Sequence, residues 1–315
     1  MLIPRSSAFG VLALALILPA ARAAEVDPYT PADSEWVLHF NLKQLAGAPA
    51  IAKYGAEQLR TGLHGGSDAL KPLTALGVDP AKDVHTLTAA GSGLLQFDRA
   101  LLIVRGAFDA EKLRKAADGL VKEQPAAWKA DKQGDVTVYE LRDKGRAPAY
   151  LAVLTDNTVV LSPGKKYVTA AAALDPKKPA KVSEPLRKLV ENADAKDDVW
   201  LAALKSDHIQ KLLAKSSATS GIADDVTAFT GRLKVGDDAR ITFSVHTREK
   251  KAAEEVAPLL DAAKGFASLT VQGTAGLGPL LSDLIDACKT STDGGTATLS
   301  GRLSEEQIAK ALKKK

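Results

Sequence analysis

The residues of this chain that could do chemistry are its five histidines, three aspartate pairs, a single cysteine and two glycine-rich stretches. The histidines are His39, His64, His85, His208 and His246. No two of them stand at the i, i+3 or i, i+4 spacing that places two imidazoles on one metal ion. The sequence therefore predicts no zinc site and calls for no cofactor. His39 and His85 fall in apolar, strand-like segments, where a histidine satisfied on a sheet face is the ordinary expectation. Only the fold could bring them together.

A serine nucleophile needs the sharp strand-to-helix elbow Gly-x-Ser-x-Gly, which does not occur. Gly91-Ser92-Gly93 comes nearest, but it sits in a hairpin connection, where glycine is explained by turn geometry. Cys288 is the lone cysteine and precludes an intrachain disulfide. In the run Leu280-Leu281-Ser282-Asp283-Leu284-Ile285-Asp286-Ala287-Cys288 it continues an apolar helical face, so it reads as a small core residue.

Gly273-Thr274-Ala275-Gly276-Leu277-Gly278-Pro279 follows an apolar run and opens a helix, whose first amides could hold an anion. The glycine spacing does not match a dinucleotide fingerprint, and no lysine follows as a phosphate loop requires. An ordinary loop and helix start is the expectation. Asp197-Asp198, Asp224-Asp225 and Asp237-Asp238 resemble calcium ligands only in charge. Each precedes an expected strand, and none has the alternating acidic loop with a central glycine. Lys310 and Lys313-Lys314-Lys315 end the last helix, where cations complement the dipole. No catalytic, cofactor-binding or metal-binding residue is assigned from the sequence.

The elements that would position these residues are clearer. Ser34 to Phe40 reads as a strand, and Leu42 to Leu63 as helix broken near Pro49. Asp68 to Leu76 is a short helix stopped at Gly77. Val84 to Ala90 and Ala100 to Arg105 form a hairpin around a turn-rich stretch. Asp109 caps a helix whose Leu113, Ala116, Ala117 and Leu120 share one face. Three more strands, Val136 to Leu141, Tyr150 to Leu154 and Thr158 to Leu161, precede a helix from Lys165 to Leu174. Leu101 to Val104 is apolar throughout, as in a central strand buried on both faces. Ile241, Phe243 and Val245 alternate with Thr242 and Ser244, as in a strand with one buried face.

Asp175 to Ser183, rich in Pro and Lys, marks a seam near residue 180. Beyond it the order strand, helix, hairpin, helix, strand, helix recurs. Trp200 to Lys205 answers Trp36 to Asn41, and Ala239 to Val245 answers Ala100 to Arg105. The expected fold is α+β with two related halves, 24–180 and 181–315, each a mixed, mainly antiparallel sheet with helices packed on one face.

The first 23 residues have the layout of a secretory signal: Arg5 without acids, an apolar run from Phe9 to Leu18, Pro19, then Ala21-Arg22-Ala23. The expected cut follows Ala23. The apolar run is about half of the roughly 20 residues that a membrane-crossing helix needs, so no transmembrane helix is expected after its removal. No cysteine lies near the cut to carry a lipid. The mature chain would keep 292 of 315 residues and a net charge near +2, since the leader holds two of the 42 basic residues and none of the 38 acids. With both signs interspersed, a nucleic-acid partner is not expected.

Pro31-Ala32-Asp33-Ser34, Trp36-Val37, Asn41-Leu42-Lys43-Gln44-Leu45, Gly77-Val78-Asp79-Pro80 with Asp83-Val84, and Val104-Arg105-Gly106-Ala107-Phe108-Asp109 together resemble uncharacterised exported proteins that planctomycete-type bacteria carry in several copies. That resemblance implies export and no assigned activity. The expectation for function is an exported (periplasmic, secreted or cell-envelope) binding or envelope-associated protein that is not an enzyme. The alternative is a hydrolase-type exported enzyme whose site assembles only in the fold. Partner and ligand are unknown at this level.

Overall fold

The structure, a computed structural model, describes residues 23–65, 68–94, 96–215, 217, 219–272 and 276–313. The expected signal lies outside these except for Ala23, as do Lys314, Lys315 and the segment Gly273-Thr274-Ala275.

Strand β1 (Trp36–Asn41) leads into three short helices, α1 (Leu42–Gly47), α2 (Pro49–Tyr54) and α3 (Ala56–Gly65). The expected helix thus breaks before Pro49, whose ring cannot continue the ladder, and again at Gly55. Helices α4 (Lys71–Ala75) and α5 (Pro80–Asp83) precede the hairpin β2 (Val84–Gly91) and β3 (Ala100–Gly106). Helix α6 (Ala110–Glu123) follows, then strands β4 (Trp128–Gln133), β5 (Val136–Leu141), β6 (Ala149–Thr155) and β7 (Thr158–Ser162), and helices α7 (Lys165–Ala172) and α8 (Glu184–Glu191). The remainder runs β8 (Val199–Leu204), α9 (Asp207–Lys215), β9 (Val226–Val235), β10 (Ala239–Thr247), α10 (Lys250–Gln272), α11 (Gly278–Asp286), β11 (Lys289–Asp293), β12 (Thr296–Leu303) and α12 (Glu305–Lys313).

The twelve strands of the described residues form one sheet, in the order β11-β12-β10-β9-β8-β1-β2-β3-β7-β6-β5-β4. Every pairing among the named strands is antiparallel. This corrects two expectations. The sheet is not mixed, and the strands of the two sequence halves do not form separate sheets, because β1 pairs directly with β8 (Leu38 opposite Leu201).

Helices cover both faces, which corrects the single helical layer expected. Alternation along β3 shows why. Val104 packs with Leu113 and Ala117 of α6, whereas Leu101 and Ile103 pack with Tyr167, Val168 and Ala171 of α7 on the opposite side. The apolar run in β3 is therefore buried twice. Helix α8 lies on the α7 side, with Leu186 and Val190 against Val37, Trp200 and Ala202.

Trp36 and Trp200, matched in sequence, point to opposite faces. Trp36 joins Leu38 and Leu201, whereas Trp200 stands opposite His39 and packs under α8. The Pro- and Lys-rich stretch near residue 180 is partly packed, with Ala180 and Val182 buried beside α8.

Local signals account for much of the rest. Asp109 accepts the Lys112 amide at 2.9 Å and caps α6, an arrangement worth about 1 kcal/mol. On β10, Ile241, Phe243 and Val245 face helices α10 to α12 while Thr242 and Ser244 face away, and the Ser244 hydroxyl meets that of Thr298 at 2.9 Å. No helix among the described residues is long and apolar enough to cross a membrane.

Candidate ligand-binding cleft

On the α6 face of the sheet, the helices leave part of β1, β2, β3 and β7 uncovered. The floor there is Phe40, Leu87, Ala89, Leu102 and Leu161, residues that register places side by side: Phe40 opposite Leu87, Ala89 opposite Leu102, Leu102 opposite Leu161. Helix α3 forms one wall through Gly62 and Leu63, and the β5–β6 connection forms another through Ala147 and Pro148. Phe97 stands at the rim, 61% exposed, with its ring edge-on to buried Trp36 at 6.0 Å and 82°. The cleft encloses about 550 Å³, inside the range of about 300–1,000 Å³ typical of small-molecule sites.

The position follows from how α3 is held. No residue of α3 is fully buried, although Leu59 and Leu63 pack against neighbouring apolar clusters; polar contacts also hold the helix. The Gln58 side chain donates to the Leu312 carbonyl at 2.8 Å, and the His64 ring lies 2.9 Å from the Arg60 carbonyl and 3.2 Å from the Asp79 carboxylate. Gly276 approaches the α3 backbone so closely that a Cβ there would lie 2.6 Å from the Gln58 carbonyl oxygen. Its φ of +83° also favours glycine. Helix α3 is thus held beside the sheet by part-buried Leu59 and Leu63 together with these ties.

A second, polar cavity of about 290 Å³ opens on the other face. His39 and Thr88 are directly opposite on β1 and β2, with Nδ1 and Oγ1 2.9 Å apart. The His39 ring stacks on Trp200, centroids 5.2 Å apart. Burial lowers its pKa to about 4, against a weak opposing pull from Asp27. Asp27 itself is committed: it receives Nε and Nη2 of Arg105 at 2.7 and 3.2 Å, while Nη1 donates to Thr158 at 3.0 Å. This bidentate pair ties the segment after Ala24 to β3. Ala24 adds a bond from its amide to the Ala193 carbonyl at 2.9 Å.

The other histidines do not join His39. His246, on β10 with β9 and β8 between it and β1, lies 2.9 Å from Thr230 Oγ1 and 3.3 Å from Thr296 Oγ1. Burial lowers its pKa too. His85 sits where the β2–β3 register shifts, His64 belongs to α3, and His208 belongs to α9. Among the described residues no group of three or more His, Cys, Asp or Glu side chains could hold a metal ion.

Ser92 is buried with its hydroxyl unpartnered, and Gly91 is required because a Cβ would lie 2.3 Å from the Arg99 carbonyl oxygen. Cys288 is buried in the core, its thiol against the Leu284 carbonyl at 3.3 Å, and burial pushes its pKa up to about 11. Of the aspartate pairs, Asp198 is fully buried. Its carboxylate accepts the Val235 amide and the Gln44 side chain, both at 2.6 Å. Asp197 is held above the usual carboxylate range by burial. Asp238 binds Arg240 and Arg302, and Asp224 accepts from Gln210. The cleft residues carry no motif; what marks them is a cluster of large apolar side chains left only partly covered.

No protein-family model matches the sequence, and no curated protein matches it. Two solved structures, crystal forms I and IV of TP0453, are each 12% identical with a TM-score of 0.47, covering 92% of this chain and 97% of theirs. The reading of the site rests on this chain's own residues.

Proposed function

We propose that this is an exported, non-enzymatic binding protein of the cell envelope or its surroundings, and that the apolar cleft beside α3 is where its ligand sits. The cleft carries the reading. Phe40, Leu63, Leu87 and Leu102 are only partly buried in one concavity, and removing such surface from water is worth about 25 cal/mol per Å². Export rests on the leader of residues 1–23. A duplicated origin, with a seam near residue 180, is supported by the strand order β3-β2-β1-β8-β9-β10, which reads alike from either side of its centre. The faces of Trp36 and Trp200 shift the match between halves by an odd number of residues from the one read in the sequence.

The experiment is a native mass spectrum, with amino-terminal sequencing, of protein recovered from its own cells. The expected result is a chain beginning at Ala24 that carries an apolar adduct released by organic solvent. A chain that starts at Met1 in a cytosolic fraction removes export. An adduct-free chain that also fails to take up any apolar probe removes binding.

A hydrolase-type enzyme is the second reading, favoured by one observation: His39, Asp27 and Thr88 share a cavity. Against it, Thr88 is buried and Asp27 is taken by Arg105. Hydrolysis of a nitrophenyl ester that disappears in His39→Gln would favour that reading over ours.

A further inference from the structure

The walls of the cleft restrict the chemistry of whatever enters it. All the described residues that line it are uncharged, and among them the one hydroxyl side chain belongs to Ser162. That hydroxyl is already used: it donates to the Ala100 carbonyl at 2.7 Å and accepts the Gly164 amide at 3.0 Å. The floor strands β1, β2, β3 and β7 each have neighbours on both sides, so the ladder consumes their backbone groups. A ligand that brought a charge or an obligatory hydrogen-bonding group to this floor would surrender its water and receive no partner.

Resting on the reading of the cleft as a ligand site, we propose that it selects an uncharged hydrocarbon or aromatic molecule and discriminates against ionised molecules of the same shape, whichever their sign. The selection is by exclusion. No residue recognises the ligand through a polar bond, so affinity comes from apolar contact with the floor and with the ring of Phe97. An anion gains nothing, because the described lining holds no cation, and an ammonium gains nothing, because the described lining holds no carboxylate.

Pyrene tests this on the mature chain, because its emission reports the polarity around it and its derivatives keep one ring shape. Pyrene itself is expected to bind with an apolar emission signature. At pH 8, 1-pyrenecarboxylate and 1-pyrenemethylammonium should bind roughly tenfold or more weakly. Either ion binding as tightly as pyrene overturns the selectivity while leaving the cleft as a site. Failure of pyrene and its derivatives alike to bind overturns the reading of the site itself.

Two substitutions at exposed positions locate the probe. Phe97→Ala should weaken pyrene by about three- to tenfold through lost apolar contact. Phe266→Ala, at a residue of α10 that is 77% exposed, should leave it unchanged. The reverse pattern, with circular dichroism showing both variants folded, places the probe elsewhere and overturns the proposal.

Discussion

His39 makes the protein acid-sensitive in a defined window. Its pKa is about 4 in the folded chain because the ring is buried between Trp200 and Thr88, and about 6.5 once the chain unfolds. Between those values the unfolded state binds more protons than the native state, so stability falls as pH falls. The difference of about 2.5 units sets a limit of about 3.4 kcal/mol, of which about 2 kcal/mol is lost between pH 7 and pH 5. His246, also held neutral by burial, adds loss of the same sign. The carboxylates lowered by ion pairs, Asp79, Asp131 and Asp238 with an ordinary pKa of 3.8 and Glu57 and Glu305 with one of 4.5, act below those values and so below the range from pH 7 to pH 5. The raised carboxyl of Asp197 works in the opposite direction, strengthening the fold as it protonates above 3.8. The measurement is urea unfolding at pH 7, 6 and 5, for the native chain and for His39→Gln, which keeps a polar partner for Thr88. With a slope near 3 kcal/mol per molar, the native midpoint should drop by roughly 0.7 M from pH 7 to pH 5 through His39 alone. The variant should lose most of that drop. An identical pH dependence in both proteins refutes the assignment of His39 as a neutral, buried group.

Asp198→Ala should cost about 2–4 kcal/mol, because the buried Val235 amide and Gln44 side chain lose their acceptor; thermal unfolding reads this, and a shift in Tm under 2 °C contradicts it. Gly301→Ala should cost about 1–3 kcal/mol, since its Cβ would lie 2.6 Å from both the Cys288 sulfur and the Leu284 carbonyl oxygen. Cys288→Ala should restore little of that loss in a double-mutant cycle, because the carbonyl belongs to the backbone and cannot withdraw. Cys288 itself, with a pKa near 11, should react with a disulfide reagent at pH 8 at least about two orders of magnitude more slowly than after unfolding, and rapid labelling of the native chain would show the thiol to be accessible.

What the sequence discloses depends on how many neighbours an element has. Strand β3, between two strands and two helices, has no polar side to display, and its unbroken run Leu101 to Val104 announces a central position. Strand β10 meets helices on one face only, and alternation from Ile241 to Val245 states which one. The edge strands β4 and β11 have the sequences Trp-Lys-Ala-Asp-Lys-Gln and Lys-Thr-Ser-Thr-Asp. They go unnoticed for the same physical reason that they are safe: an edge carrying lysine and few apolar side chains resists pairing with another chain, and so lacks the alternation by which strands are found. Helix α8 starts directly after the stretch Asp175 to Ser183, whose prolines and lysines signal a linker, and it goes unread although its Leu186 and Val190 are buried.

The cleft is illegible for a different reason. Phe40, Leu87 and Leu102 have the spacing of core residues, because they are on the inward face of their strands. Whether such a residue is core or site depends on what lies above it, and that is decided by the placement of α3, which is fixed in part by polar contacts to Leu312 and Asp79 and by the close approach of the Gly276 backbone. Those contacts join residues more than 200 positions apart in two of the three cases, Gln58 with Leu312 and Gln58 with Gly276, so no local pattern encodes them. The pairing of β1 with β8 is equally non-local, and it is this pairing that brings the α10–α12 side of the molecule near enough for Gly276 to reach α3. The cleft is therefore a property of the joined sheet. A chain cut at residue 180 would keep the apolar floor and the His64–Asp79 contact but lose both Gly276 and Leu312, and with them two of the three contacts named here that hold α3 in place.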